Sequence, residues 1–388
     1  MTEMVYGSNP VPVTEPVLPR WWRTIDKWTL SSIFMLFGIG LVLGLAASVP
    51  LASRNGLEPF YYVQKQAIFG GMGLATMIAV SMMSPETVRR LGTIGFLFAM
   101  ILLVALPFVG KITARAPSAG CRLAASRLQP SEFLKPAFVV VTAWLMAASQ
   151  QVGGPPGKIL SFGLLVVVVG FLAMQPDFGQ SALILFAWGV IYFVAGAPMF
   201  LIVGIGGLVA GGGVIAYGAS EHFARRIDGF LAPDVDPRTQ LGYATNAIQE
   251  GGFFGVGVGE GQVKWSLPDA HTDFIIAVAA EEYGLILVLL ILALFGVIVV
   301  RSLVRLMAER DPFTRLAGAG LACVFGVQAM INMGVAVRLL PAKGMTLPFI
   351  SYGGSSLIAA GITVGALLAM TRTRPRDRMS EVFKRSGR

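Results

Sequence analysis

Phe274–Val300 reads FIIAVAAEEYGLILVLLILALFGVIVV, an apolar run whose only charged residues are the adjacent Glu281 and Glu282. It exceeds the roughly 20 residues that carry an α-helix across a hydrocarbon core. Further apolar runs lie at Trp28–Val49, Ala67–Met83, Leu91–Val109, Phe133–Ala148, Ile159–Met174, Ser181–Val194, Phe200–Tyr217, Leu316–Val337 and Leu357–Met370. The shorter ones need their flanks to span, and only Ala195–Pro198 parts the sixth from the seventh. The expected fold is an all-α polytopic membrane protein of about ten transmembrane helices. Composition agrees with a lipid solvent: 55% of the 388 residues are hydrophobic and 13% charged, against about 25% charged in soluble domains. The run from Trp28 carries no small-residue cleavage pattern, so it reads as a retained span and not a signal peptide.

Orientation follows from Lys and Arg in short loops, which stay on the cytoplasmic side. An inward N-terminus puts Arg20, Arg23, Lys27, Arg89, Arg90, Lys158, Arg301, Arg305, Arg310, Arg315 and the tail Arg372–Arg388 on that side. The chain then divides into a cytoplasmic N-terminal tail (1–27), a membrane domain (28–371) and a basic cytoplasmic C-terminal tail (372–388). The net charge of +9 is chiefly a topology signal. Attraction to anionic headgroups accounts for the tail, and nucleic acid is not an expected partner. Cys121, Cys323, His222 and His271 supply neither a disulfide framework nor a CxxC or zinc cluster, so no metal ligands are assigned.

The same alternation places three polar segments outside. The longest, 218–272, is a large extracytoplasmic loop between helices 7 and 8, and loops of that length are usually functional. Within it Ile227–Pro233 is an amphipathic piece suited to a membrane surface, and Tyr243–Glu250 is a short helix. Gly251–Gly261 (GGFFGVGVGEG) lacks the Lys-Ser/Thr of a phosphate loop, so it reads as a close-packed turn. The segments 111–130 and 338–356 would face it across a cleft at the membrane boundary. No repeat indicates a solenoid or duplicated carrier.

Ionisable groups at or within a span are costly unless paired or hydrated, which makes them site candidates. In Gln129–Pro136 (QPSEFLKP), Glu132 and Lys135 share a helix face. They form either a pair that stitches spans together or a groove for an anionic headgroup with Lys135 as its cation. Asp177, in QPDFGQ, suits the positive start of a helix as a cap. Asp273, in Asp269–Phe274 (DAHTDF), either caps the eighth helix or acts as a general base, because a half-desolvated carboxylate has a raised pKa. Leu340–Ser356 (LPAKGMTLPFISYGGSS) offers Lys343 and the hydroxyls of Ser351 and Ser355 to a phosphate, or forms a tight helix entry through small residues.

Taken in order, LQPSEFLKP, QPDFGQ, AGAP, HTDF and LPAKGMTLPFISYGGSS resemble the signature series of the SEDS family (shape, elongation, division and sporulation) over residues 20–372. TLPFISYGGSS is closer to the division branch than to the elongation branch. The resemblance implies a peptidoglycan glycosyltransferase that polymerises lipid II at the division septum of the bacterial inner membrane. The proposed catalytic carboxylate falls on Asp273, the polar groove on Glu132 and Lys135, and the loop cation on Lys343. Lys side chains or a divalent ion (Mg2+ or Mn2+) would stabilise the departing diphosphate, with no other cofactor. Implied partners are a class B penicillin-binding transpeptidase and other divisome membrane proteins.

Two stretches depart from the family pattern. Arg338 stands where the family often has a small residue. Thr113–Arg127 (TARAPSAGCRLAASR) replaces a lysine-glycine stretch, an Arg-Trp pair and a Gly-Phe-Ser approach. One permitted codon set for Thr113–Ser126, read two nucleotides out of frame, gives GKGAKRWLPACGF, close to that pattern. Two compensating frame changes are the expected origin, and a coding sequence with no Arg-Trp in a neighbouring frame excludes them. Rival functions are a lipid II flippase, an elongation-type polymerase and a non-catalytic scaffold for a transpeptidase.

Overall fold

The computed structural model describes residues 16–115, 129–175, 177–196, 198–219, 221–231, 239–267, 269–341 and 344–373. Among these the chain is all-helical. A short α1 (Val17–Thr24) precedes α2 (Lys27–Arg54), α3 (Tyr61–Ser81), α4 (Pro85–Arg115), α5 (Pro130–Ala148), α6 (Gly157–Met174), α7 (Phe178–Val194) and α8 (Met199–Ala219). Two short helices follow, α9 (Glu221–Leu231) and α10 (Gln240–Gly251), and then α11 (Ile275–Met307), α12 (Pro312–Ala336) and α13 (Gly354–Thr371). The ten long helices coincide with the ten apolar runs. Among the described residues seven helices are long and apolar enough to cross a membrane, and Phe178–Val194 is a shorter apolar helix.

Local sequence sets the helix starts. Asp26 accepts from Trp28 N, Asp177 from Gln180 N and Asp311 from Thr314 N, so three spans begin on a carboxylate cap. Pro130 and Pro312 occupy first-turn positions where no N–H is required. α5, α12 and α13 are the central helices: 78%, 72% and 72% of their apolar windows are buried, against 22% for α4 and 28% for α6. Lipid tails give little hydrophobic drive between helices, so close approach decides the packing. On α13, Gly361 lies so near α3 that a Cβ there would stand 2.2 Å from Gly73 O.

The ends of the bundle differ in chemistry. At one, Asp26 pairs with Arg301 and Arg305, Trp21 Nε1 donates to Ser81 Oγ, and Thr373 N donates to Thr24 O. Both ends of the described chain therefore lie at the same end of the bundle, the one expected from its basic residues to face the cytoplasm.

The segment expected as a long loop carries two helices and a 3-10 turn (Val263–Trp265). The amphipathic piece belongs to α9, with its residues 232–233 outside the described set, and the short helix extends to Gln240–Gly251. The glycine-rich turn packs against a break in α11, where Gly284 has φ 74° and ψ −171°. A Cβ on Gly255 would stand 2.2 Å from Glu282 O, and one on Gly284 would stand 2.3 Å from Phe253 O. Glu281 accepts from Val263 N and Lys264 N, while Glu282 pairs with Lys264 Nζ. α4 runs past the expected end of its span to Arg115. The rest of the anomalous stretch, residues 116–127, lies outside the described residues, as do most of both tails.

Candidate active site

Asp273 sits in a turn immediately before α11. Thr272 N and Asp273 N both donate to Asp269 O at 3.1 Å, and Asp269 takes a left-handed φ of 55°. α11 has no side-chain cap hydrogen bond, so Asp273 does not cap it. Among the described residues its carboxylate accepts no hydrogen bond and meets no cation at ion-pair distance. Burial, aided by the nearby charge of Asp269, raises its pKa to about 6. A Cβ on Gly344 would stand 3.2 Å from Asp273 Oδ2, so the carboxylate abuts backbone that bears no side chain. His271 is half-buried, and burial lowers its pKa against the opposing charge of Asp269.

The segment 344–353 is stitched to this turn. Tyr352 N donates to His271 O at 2.9 Å, Ser351 Oγ donates to Thr272 O, and Leu347 N donates to Ser351 Oγ. Ser351 is thus 1% exposed and acts as a strut between HTDF and the loop. Ser355 Oγ accepts from Gln129 N at 3.3 Å, joining the start of α13 to the approach of α5. Lys343 lies outside the described residues, though its chain neighbour Gly344 is the residue that touches Asp273.

Glu132 and Lys135 form an ion pair at 2.7 Å with side chains 6% and 3% exposed. Lys135 Nζ also donates to Gln328 Oε1 at 2.7 Å, and Gln180 Nε2 donates to Glu132 Oε1 at 2.8 Å. Gln328 Nε2 donates to Thr346 O at 3.0 Å, and Asn332 Nδ2 bridges Asp273 O and Met345 O. A chain of polar contacts therefore runs from α7 through the Glu132–Lys135 pair and α12 to the backbone of Asp273. Gln328 and Asn332 are four apart, hence on one face of α12. Sequence reasoning singled out neither, because each is uncharged; two amides spaced by one turn inside an apolar run were the available signal.

Residues 27–375 match the family described as Cell cycle protein, which groups FtsW, RodA and SpoVE. A relative from Caulobacter vibrioides, "Probable peptidoglycan glycosyltransferase FtsW", is 42% identical over 359 residues, covering 92% of each chain. The chain belongs to this family. A relative of the same description from Trichlorobacter lovleyi is 34% identical and covers 88% of this chain and 92% of its own. Among solved structures, one described as "Structural coordination of polymerization and crosslinking by a peptidoglycan synthase complex" superposes with a TM-score of 0.69 at 26% identity, covering 91% of this chain and 98% of its own. Thermus thermophilus RodA shares the fold, with a TM-score of 0.60 at 24% identity over 92% of this chain and 98% of its own.

Within the family frame, four of the five motifs read from the sequence fall into two groups. HTDF and SYGGSS meet at the end of the bundle opposite the Asp26–Arg301 pair, while LQPSEFLKP and QPDFGQ meet through Glu132 and Gln180. Cys323 is a free thiol in α12 with no part in either group.

Proposed function

We propose that this chain polymerises lipid II into peptidoglycan glycan strands at the division septum, as a multi-pass protein of the bacterial inner membrane. The observation that carries the reading is Asp273: a half-buried carboxylate that caps no helix and pairs with no cation among the described residues, with a pKa raised to about 6. Such a group is ionised at neutral pH yet basic enough to take a proton from a sugar hydroxyl. As the acceptor oxygen bonds to the donor sugar's anomeric carbon, the bond from that carbon to the diphosphate breaks. The electron pair leaves on the lipid diphosphate, and the hydroxyl proton passes to Asp273.

The turn that carries Asp273 is held by Asn332 of α12 and by Ser351 and Tyr352 of the 344–353 segment, none of which neutralises the carboxylate. Among the described residues no three metal-ligating side chains gather. Asp269 and Asp273 are close enough to couple electrostatically, and Mg2+ is commonly held by one or two carboxylates together with substrate phosphates. Asp269, exposed beside this turn, would hold Mg2+ or Mn2+ together with the substrate's own phosphates, and the ion would supply charge neutralisation to the diphosphate when bound, leaving Asp273 to accept the proton. The division-branch relatives and the neighbour described as coordinating polymerization with crosslinking support a class B transpeptidase partner.

The test is gel analysis of glycan products from lipid II, using the purified chain with its transpeptidase and the Asp273→Asn variant. Polymer from the wild type and none from Asp273→Asn supports the polymerase. Polymer retained by the variant, with translocation of lipid II lost, supports a flippase. Division unaffected by the variant in cells supports a scaffold.

A further inference from the structure

The outer mouth carries a cation that none of the steps above uses. Lys65 lies one turn into α3 and is half-buried. Its Nζ donates to the Tyr61 hydroxyl at 2.6 Å, and among the described residues it has no carboxylate partner. Two buried lysines toward this end of the bundle are neutralised: Lys135 by Glu132 and Lys264 by Glu282. The sequence offered Lys135, as one of two readings, and Lys343 to the anionic headgroup; Lys343 lies outside the described residues, and the Lys135 side chain is 3% exposed and already holds a carboxylate and an amide.

Lys65 is also fixed relative to the reacting carboxylate. Its chain neighbour Gln66, 1% exposed, donates to Ile350 O at 2.8 Å and to Gly40 O at 3.0 Å, tying α3 to the FISYGG segment and α2. Tyr62, His271 and Tyr352 form a triangle with ring centroids 5.6 to 5.7 Å apart, and Asn55 donates to the Tyr62 hydroxyl at 2.9 Å. His271 and Tyr352 belong to the two segments that frame Asp273. The lysine thus stands over the Tyr61 ring, 4.3 Å from its centroid, and Tyr61 packs edge-on against Tyr62 of that triangle. Tyrosines are enriched at membrane–water interfaces, where the diphosphate of a polyprenyl-linked substrate also sits.

We propose that Lys65 is a binding residue for the diphosphate of the lipid-linked sugar substrate. This deepens the polymerase reading and rests on it. When the anomeric carbon–oxygen bond breaks, the pair of electrons stays on the diphosphate oxygen facing the Lys65 ammonium, while the proton of the acceptor hydroxyl goes to Asp273. The ammonium meets a doubly charged group without first having to release a carboxylate, as Lys135 would.

The experiment measures equilibrium binding of labelled lipid II in neutral-lipid nanodiscs, in an Asp273→Asn background that does not consume it, with inorganic pyrophosphate as competitor. Polymerisation is assayed in parallel without that substitution. Lys65→Gln is expected to weaken lipid II binding and pyrophosphate competition at least about tenfold, the size of one lost charge-assisted hydrogen bond. Lys65→Arg is expected to keep most of both. Unchanged binding and competition in Lys65→Gln overturns the proposal, whatever the polymer assay shows. Equal losses in Lys65→Gln and Lys65→Arg, with a lowered unfolding midpoint, overturn it in favour of a folding role. An effect seen only in nanodiscs containing phosphatidylglycerol overturns it in favour of a phospholipid headgroup. Failure of the unsubstituted chain to polymerise, with the binding loss intact, contradicts the polymerase reading alone.

Discussion

At the residue scale, the departure at Arg338 has a backbone consequence. α12 ends at Ala336, and Arg338 takes a φ of 58° while its N–H donates to Val335 O and Leu339 N donates to Gly334 O. These two bonds are the Schellman closure, whose left-handed residue is normally glycine. A side chain in that region costs about 1–2 kcal/mol, part of which glycine returns through its freer unfolded chain. Arg338→Gly is therefore expected to raise the thermal unfolding midpoint of the detergent-solubilised protein, by about 0.5–1 kcal/mol in stability. The spacing of Glu132 and Lys135 was legible in the sequence, since residues three apart share a helix face. The state of Asp273 was not: cap and base look alike in HTDF, and only the turn onto Asp269 O shows that this carboxylate caps no helix.

At the scale of elements, α11 shows where hydropathy misleads. Phe274–Val300 reads as one continuous run, yet the helix breaks at Gly284 because the 253–255 backbone inserts against it. Hydropathy records only the apolar character of a stretch, and the break comes from a partner segment some thirty positions earlier. Substituting Gly284 with alanine places a Cβ 2.3 Å from Phe253 O at a φ of 74°. Gly284→Ala is expected to destabilise the protein by about 3 kcal/mol or more. Thermal unfolding checks this, and a parallel loss of polymerisation is expected because the segment preceding the break carries the Asp273 turn. The ten apolar helices, by contrast, were legible throughout, since lipid permits few backbone solutions.

At the scale of the whole molecule, the polar network joins distant parts of the chain into one rigid mouth. Gln180, Glu132, Lys135, Gln328, Thr346, Met345, Asn332 and Asp273 are linked in series across α7, α5, α12 and the 344–353 segment. No local pattern announces such a series, because each link is a tertiary contact. Gln328→Leu keeps volume but removes an amide that serves both Lys135 and Thr346 O. It is expected to lower polymerisation kcat/KM on the order of a hundredfold, the cost of misplacing a reacting group by about an ångström. A smaller loss on a Glu132→Gln, Lys135→Met background would show that the two sites act through one network, and full additivity would show that they do not.

The central claim is that Asp273 accepts the proton of the attacking hydroxyl. A carboxylate with a pKa of about 6 must be ionised to do so, so kcat/KM should rise with pH through about 6 and level off above it. The measurement is the pH profile of lipid II polymerisation by the purified complex, with Asp273→Asn and Asp273→Glu beside the wild type. The account predicts an acid limb with a midpoint near 6, its disappearance together with most of the rate in Asp273→Asn, and a displaced limb in Asp273→Glu. An unshifted limb in Asp273→Glu, or full activity in Asp273→Asn, would contradict it.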